Sequence, residues 1–282
     1  TIEFRKFSPL PKALVPLTEG VTPSGSSLSV SSISAIVAQY GDYVVQSDVL
    51  ELTAVDNTIL ETTKLLGRQA GLTMDTIVRN ALLLGTNKSY APKYVADTNG
   101  NLVETEVTKT ADLDTSAKLT VDVVQRVVAK LRAQNAPTIG GDYVCIIHPY
   151  VAYDLMRDPE WIDAHKYATP ENLYTGEIGK MAGVRFVQST EAKIDKGGSD
   201  NPSGLAVFRC LFLAEGAYGV TEVTGGGLQT IVKQKGSSGT ADPLDQRSSV
   251  GWKGLKAAKI LVDNYLVDLM CCSKFSATAT AN

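Results

Sequence analysis

The sequence predicts an α+β chain: an extended β-hairpin, a long helix with a peripheral β-sheet, and an inserted α/β domain. Three observations predict it. Residues 1–53 read as two β-rich arms around a tip that carries Pro9, Pro11, Pro16 and Pro23 with Gly20 and Gly25; these residues interrupt a regular ladder. Residues 57–84 keep a helical apolar period over an unusual length. Residues 118–224 alternate helical and strand-like runs.

The hairpin comes first, over 1–40. Its return arm alternates Leu28 and Val30 with Ser29 and Ser31, and the apolar face then shifts by one residue to Ile33, Ala35 and Val37. Such a shift in a period of two predicts a bulge or twist that passes the strand from one partner to another. A long, two-sided polar hairpin has little core of its own, and two isolated strands are marginal in water. The arm is therefore expected to rest on another copy of the chain.

The helix follows. Asp56 or Asn57 can cap it. Leu66, Ala70, Met74, Ile77, Ala81 and Leu84 recur at close to 3.6 residues, Asp75 and Arg79 are spaced as an i,i+4 pair, and Gly85 is a plausible stop. At 1.5 Å per residue the run from Asn57 to Leu84 spans roughly 40 Å. Gly67 and Gly71 leave one face without side chains. They mark either a break near Gly71–Leu72 or a surface for close packing of another backbone.

Residues 86–117 are polar and turn-rich, with short β pieces expected at Leu102–Lys109. Thr120 opens an amphipathic helix bearing Val121, Val124, Val127, Val128 and Leu131 on one face. Tyr143–Ile147 is a continuous apolar run, as in a strand covered on both sides. A short helix over Tyr150–Arg157 is expected to stop at Pro159, followed by a loop with Trp161 and Tyr167. Strands are expected at Val184–Gln188, Leu205–Glu215, Tyr218–Val223 and Gln229–Gln234. Two final strands, near Ser249–Ala258 and Lys259–Ser273, are expected to pair with each other, and the tail SATATAN to contribute nothing to a core. The domains are then 1–40 (hairpin), 41–117 with 225–282 (peripheral, with helix 57–84), and 118–224 (inserted).

Composition excludes some function classes. Net charge is −3 without a dominant basic cluster, which argues against a basic nucleic-acid-binding domain. No apolar run reaches 18 residues. The chain starts at Thr1, so a preceding segment is expected to have been cleaved or left out. Cys145, Cys210, Cys271 and Cys272 lack C-x-x-C spacing and sit mostly in apolar runs, as buried free thiols do.

Catalytic patterns are sparse. His148 follows the YVCII strand without a nucleophile elbow, so a hydrogen-bonded structural role is expected. His165 lies near Glu160 and Asp163, a weak metal signal. The GEIGK run at 176–180 fails the phosphate-loop pattern, because Tyr174 and Met181 stand where Gly and Ser/Thr are needed. No cofactor, metal or catalytic residue is expected. The alternative is a cytosolic α/β enzyme with a site near His148.

Six stretches in order carry a family resemblance: TIEFRKFSPLPKALVPLTEGVTPSG, AQYGDYVVQSDVLELT, GRQAGLTMDTIVRNAL, VCIIHPYVAYDLMRDPEWIDAHKYA, GEIGKMAGVRFVQST and DPLDQRSSVGWKGLKAAKILVDNY. The chain resembles the major capsid proteins of tailed bacteriophages and prophages, in the family named after coliphage N4. The resemblance implies an HK97-type capsid fold. Thr1–Tyr40 would be its extended E-loop, Asn57–Leu84 its spine helix, and 118–224 its axial domain, with the C-terminal strands returning to the peripheral domain. It also implies a structural protein that self-assembles into hexamers and pentamers of an icosahedral shell around double-stranded DNA, held without sequence specificity. Portal, scaffolding and decoration proteins would be partners, the virion the location, and the host bacterial cytoplasm the place of assembly. The hairpin-tip residues Pro9, Pro11, Pro16, Glu19 and Pro23 would contact a neighbouring subunit, and Gly67 and Gly71 would be bending points of the spine. Lys6 and Lys12 have no identifiable crosslinking partner, so no crosslink is expected. An encapsulin-like compartment subunit is a further alternative.

Overall fold

Strand β1 (Ile2–Phe7) pairs antiparallel with β2 (Val30–Ala35), from Ile2↔Ala35 to Phe7↔Val30, in a computed structural model. The structure describes residues 1–7, 10–54, 56–165, 178–197, 201, 204–221, 225–237 and 242–282. Only six residue pairs form the hairpin ladder, and the described part of the tip beyond it adds no strand. After Ala35 the chain changes partners: β3 (Ala38–Ser47) pairs with a distant strand, where the one-residue phase shift predicted a change.

Ser47 then caps a short helix, α1 (Asp48–Thr53), by accepting from the Leu50 N–H. Helix α2 (Thr58–Leu82) follows and runs without interruption through Gly67 and Gly71. The Asn57 side chain accepts from the Leu60 N–H at its start. A Cβ added at Gly67 or Gly71 would meet nothing within 4 Å. Neither the break nor a close-packed backbone is thus present within this chain. The expected Asp75–Arg79 pair does not form; Arg79 turns to Glu191 and donates to its carbonyl at 2.7 Å. Gly85 follows the helix end, donating to the Leu82 carbonyl at 3.2 Å, and a Cβ there would lie 2.9 Å from Leu266 Cδ2.

The next strands are β4 (Lys88–Tyr90) and the exposed hairpin β5 (Lys93–Ala96) with β6 (Leu102–Thr105). Helix α3 (Val121–Ala133) is capped by Thr120 and buries Val121, Val123, Val124, Val127, Val128 and Leu131. At roughly 1.5–3 kcal/mol for each fully buried apolar side chain, this face holds the helix far more strongly than its propensity does. It ends with Asn135 at φ 55°, Asn135 N–H on the Arg132 carbonyl and Ala136 N–H on the Leu131 carbonyl. That is a Schellman closure, with Asn in place of Gly.

Strand β7 (Tyr143–Ile147) leads to α4 (Pro149–Met156). Helix α4 ends before Pro159, as expected, but the residues after Pro159 are not the expected loop. Pro159 opens a further helix, α5 (Pro159–His165), because proline suits the first helical position, where no intrahelical N–H bond is needed. Trp161 is consequently buried and packs edge-on against Phe186, 5.6 Å between centroids. Tyr167 lies outside the described residues.

Strands β8 (Lys180–Met181), β9 (Val184–Gln188), β10 (Ile194–Lys196) and β11 (Ala206–Leu213) follow. Then come β12 (Tyr218–Val220), β13 (Gln229–Lys233), β14 (Arg247–Lys256), β15 (Ala258–Ile260) and β16 (Leu266–Cys271). The two C-terminal runs do not pair with each other. β14 forms a three-stranded sheet, β13-β14-β3. β16 inserts between β4 and β11 in a seven-stranded mixed sheet, β4-β16-β11-β7-β9-β8, with β10 also on β11. The reason is burial: all six residues of β16 are buried, so both its faces need cover, whereas exposed residues remain on β14.

The chain divides into two compact units: 1–67 with 219–261, and 68–218 with 262–282. The division falls within α2, between Gly67 and Arg68. The first unit holds the hairpin and the β13-β14-β3 sheet. The second holds the seven-stranded sheet, α3, α4 and α5 around the main core. The C-terminal tail joins that core, against expectation: Ser276 and Ala279 are buried. Ala206 donates to the Ser276 carbonyl, and the Asn282 side chain accepts from the Ile194 N–H at 2.9 Å. Main-chain bonds and the Asn282 side chain hold a tail whose small residues carry no apolar signal.

Candidate assembly surface

The described hairpin tip is largely uncovered by its own chain. Leu14, Val15 and Leu17 are 81%, 85% and 78% exposed. Pro11, Pro16, Glu19 and Pro23 are likewise exposed, while Pro9 lies outside the described residues. Apolar side chains normally cost free energy when left in water. Here they form a run of exposed apolar residues on a described segment without regular pairing.

The base of the hairpin is anchored. Phe4 lies against Gly219, where an added Cβ would sit 2.7 Å from the Phe4 ring. The sheet beside it is bonded to the start of α2, since Gln46 donates to the Thr58 carbonyl at 3.1 Å and to Thr62 Oγ1 at 2.6 Å. The arm thus leaves a fixed base and ends in a free apolar tip. Gly67 and Gly71 sit on exposed turns of α2.

His148 has a structural place. It caps α4, with Nδ1 accepting from the Tyr150 N–H at 3.2 Å, and packs against Tyr150 and Phe208. Burial lowers its pKa. The His165 side chain is outside the described residues. Among the described residues, no group of three or more His, Cys, Asp or Glu is placed to hold a metal. All four cysteines are free and buried. Burial raises the pKa of Cys145, and Cys271 is raised first by its hydrogen bond to Cys210 and then by burial.

The strongest charged feature is internal. Asp268 of β16 is fully buried and paired with Arg209 of β11, whose Nε donates at 3.0 Å. Arg209 also reaches the Leu83 carbonyl at 3.3 Å and lies 3.6 Å from Asp195. Asp268 Oδ1 has no hydrogen-bond partner among the described residues. The sequence reading missed this pair; a lone Asp in the apolar run LVDLMCC was the signal available for it.

A hairpin arm, a long helix and a mixed sheet in this order make the HK97-type shell fold. Residues 31–266 match the family of phage capsid proteins, and the chain belongs to that family; it is a structural capsid-shell subunit. Solved structures agree on the fold. The capsid of Ralstonia phage GP4 is 15% identical with a TM-score of 0.67, over 97% of this chain and 83% of that one. The cyanophage Pam1 capsid asymmetric unit is 13% identical with a TM-score of 0.67, over 96% and 85%. The holo-SrpI encapsulin complex of Synechococcus elongatus is 12% identical with a TM-score of 0.51, over 90% and 80%. No curated protein matches the chain significantly.

Proposed function

We propose that the chain assembles into hexamers and pentamers of an icosahedral phage shell around double-stranded DNA, which it holds without sequence specificity. In this reading 1–40 is the E-loop, 41–117 with 225–282 the peripheral domain, and 118–224 the axial domain. The hairpin tip, with Pro9, Pro11, Pro16, Glu19 and Pro23, docks on a neighbouring subunit. Its prolines restrict the free loop and lower the entropy lost on docking. Gly67 and Gly71 let the spine bend as the shell changes shape. The role is binding and not catalysis. Portal, scaffolding and decoration proteins complete a virion assembled in the host bacterial cytoplasm.

The exposed apolar hairpin tip carries this reading. Deleting Leu10–Ser24 should leave a folded subunit that no longer forms shells, measured by circular dichroism and negative-stain microscopy. Normal shells from the deletion variant would remove the hairpin from assembly. The encapsulin likeness supports a second reading, a protein compartment. Nuclease-protected DNA inside purified particles favours the phage shell, and protein cargo in place of DNA favours the compartment.

A further inference from the structure

One face of the large sheet carries a row of charge. Across the neighbouring strands β4, β16, β11 and β10 it runs Lys88, Asp268, Arg209, Asp195. Lys88 stands opposite Asp268, Arg209 opposite Met270, and Asp195 opposite Val207. Alternation along each strand then puts the four side chains on the same side of the sheet. The Arg209 N–H donates to the Lys193 carbonyl at 3.0 Å, which sets Lys193 beside the row. Lys88, Lys193, Lys196 and Arg209 line one cavity of about 440 Å³ within the second unit. Asp195 is the acidic residue of that lining among the described residues. Asp268 is fully buried beside Arg209. These cations lie far apart in the sequence, so no basic cluster announces them.

Their donors are only partly used. An ammonium has three N–H donors and a guanidinium five. Lys196 gives two, to the Ala277 and Ala279 carbonyls at 3.2 and 2.8 Å. Lys193 gives one to the main-chain oxygen of Asn282 and lies 3.9 Å from Asp195. Arg209 spends Nε and Nη2 on Asp268 and the Leu83 carbonyl. Its Nη1 has no hydrogen bond among the described residues, and Asp195 lies 3.6 Å away. The Lys88 ammonium has neither a hydrogen bond nor an ion pair among the described residues. Thr110 lines the same cavity, and its hydroxyl donates to the Met270 sulfur, a weak acceptor, at 3.2 Å. Positive charge in excess of its carboxylates, with donors left over around one hollow, suits a multiply charged oxyanion.

We infer that this cavity binds a phosphate group. Lys88, Lys193 and Arg209 Nη1 donate to its oxygens, and the hydroxyl of Thr110 turns from sulfur to a better acceptor. Asp195 competes with the anion, because its carboxylate lies between Arg209 and Lys193. The group is either free phosphate or part of a nucleic-acid backbone. The inference concerns the single subunit and does not rest on shell formation.

The test titrates the full chain with inorganic phosphate by calorimetry, in a buffer without other multiply charged anions. Binding should be seen, and Lys88→Gln/Lys193→Gln should weaken it by about tenfold or more, as expected for lost charge-assisted hydrogen bonds. Asp195→Asn should tighten it by about threefold or more, because a competing charge is gone. This second variant decides the matter if the lysine variant loses its circular dichroism: a merely structural Asp195 predicts unchanged or weaker binding. A parent that does not bind phosphate overturns the inference. So does binding that ignores both variants. Fluorescence anisotropy with a short duplex of arbitrary sequence separates the sources. A duplex that binds with the same dependence on Lys88, Lys193 and Asp195 supports a backbone phosphate, and a duplex that does not bind supports the free anion.

Discussion

Replacing Arg209 by Met should destabilise the second unit more than any surface change. Asp268 has no solvent exposure, and Arg209 supplies its hydrogen bonds. Arg209→Met therefore leaves a buried carboxylate without its hydrogen-bonded counter-charge, with only the field of Lys88 remaining, and removes a donor from the Leu83 carbonyl. Breaking one side of a buried pair costs about 3–5 kcal/mol, a large share of the roughly 5–15 kcal/mol that holds a domain folded. Replacing both partners, as Arg209→Met/Asp268→Leu, removes the stranded charge together with its mate. The double variant should lie within about 2 kcal/mol of the parent. Burial raises the pKa of Asp268 despite the guanidinium beside it. Its folded state thus binds a proton more readily than its unfolded state, and this group's contribution to stability falls as pH rises through that window. Removing Arg209 raises the pKa further. The Arg209→Met defect should be greatest at neutral pH and shrink on acidification, as Asp268 takes up a proton and loses its charge. Urea unfolding followed by Trp161 fluorescence, in a Trp252→Phe background, reads the correct unit. A cost below about 1 kcal/mol for Arg209→Met, or a double variant worse than the sum of the singles, would refute the reasoning.

Three other outcomes can be checked. Gly219→Ala should cost about 1–3 kcal/mol or displace the hairpin base, because its Cβ meets the Phe4 ring at 2.7 Å; faster amide exchange over 2–7 reports it, and Phe4→Ala in the same chain should relieve the clash. Gly71→Ala has open space around it and should stabilise the free subunit by about 1 kcal/mol through helix propensity, while slowing any shell transition that bends α2; an unchanged transition rate would discard the hinge. Cys145 and Cys271 should ignore thiol reagents at pH 8 until unfolding, since both are fully buried with raised pKa values, and Cys272 is pushed up to about 12; fast labelling of the native protein would contradict this.

Much of the local structure was legible because it rests on short-range physics. The α3 face, the Asn57 cap and the YVCII strand follow from period, cap chemistry and an apolar run. The phase shift near Ala35 located a change of strand partner to within a few residues. Other features depended on partners remote in sequence. The Asp75–Arg79 spacing suited an ion pair, but Glu191 offered Arg79 a carbonyl and a carboxylate together. Pro159 can stop one helix or start another, and the burial of Trp161 favoured the start. The tail SATATAN has no apolar pattern, so its docking through main-chain bonds and the Asn282 side chain could not be read.

The assembly surface divides the same way. The sequence alone determined a Pro-rich arm and a long helix with two adjacent-turn glycines. Those properties reside in composition and spacing, which need no fold. Only the tertiary structure decided that β16 lies inside the large sheet and not beside β14, that Asp268 is sealed against Arg209, and that α1 is left bare. Each depends on which strand covers which, and burial is a property of the assembled layers and not of any residue by itself.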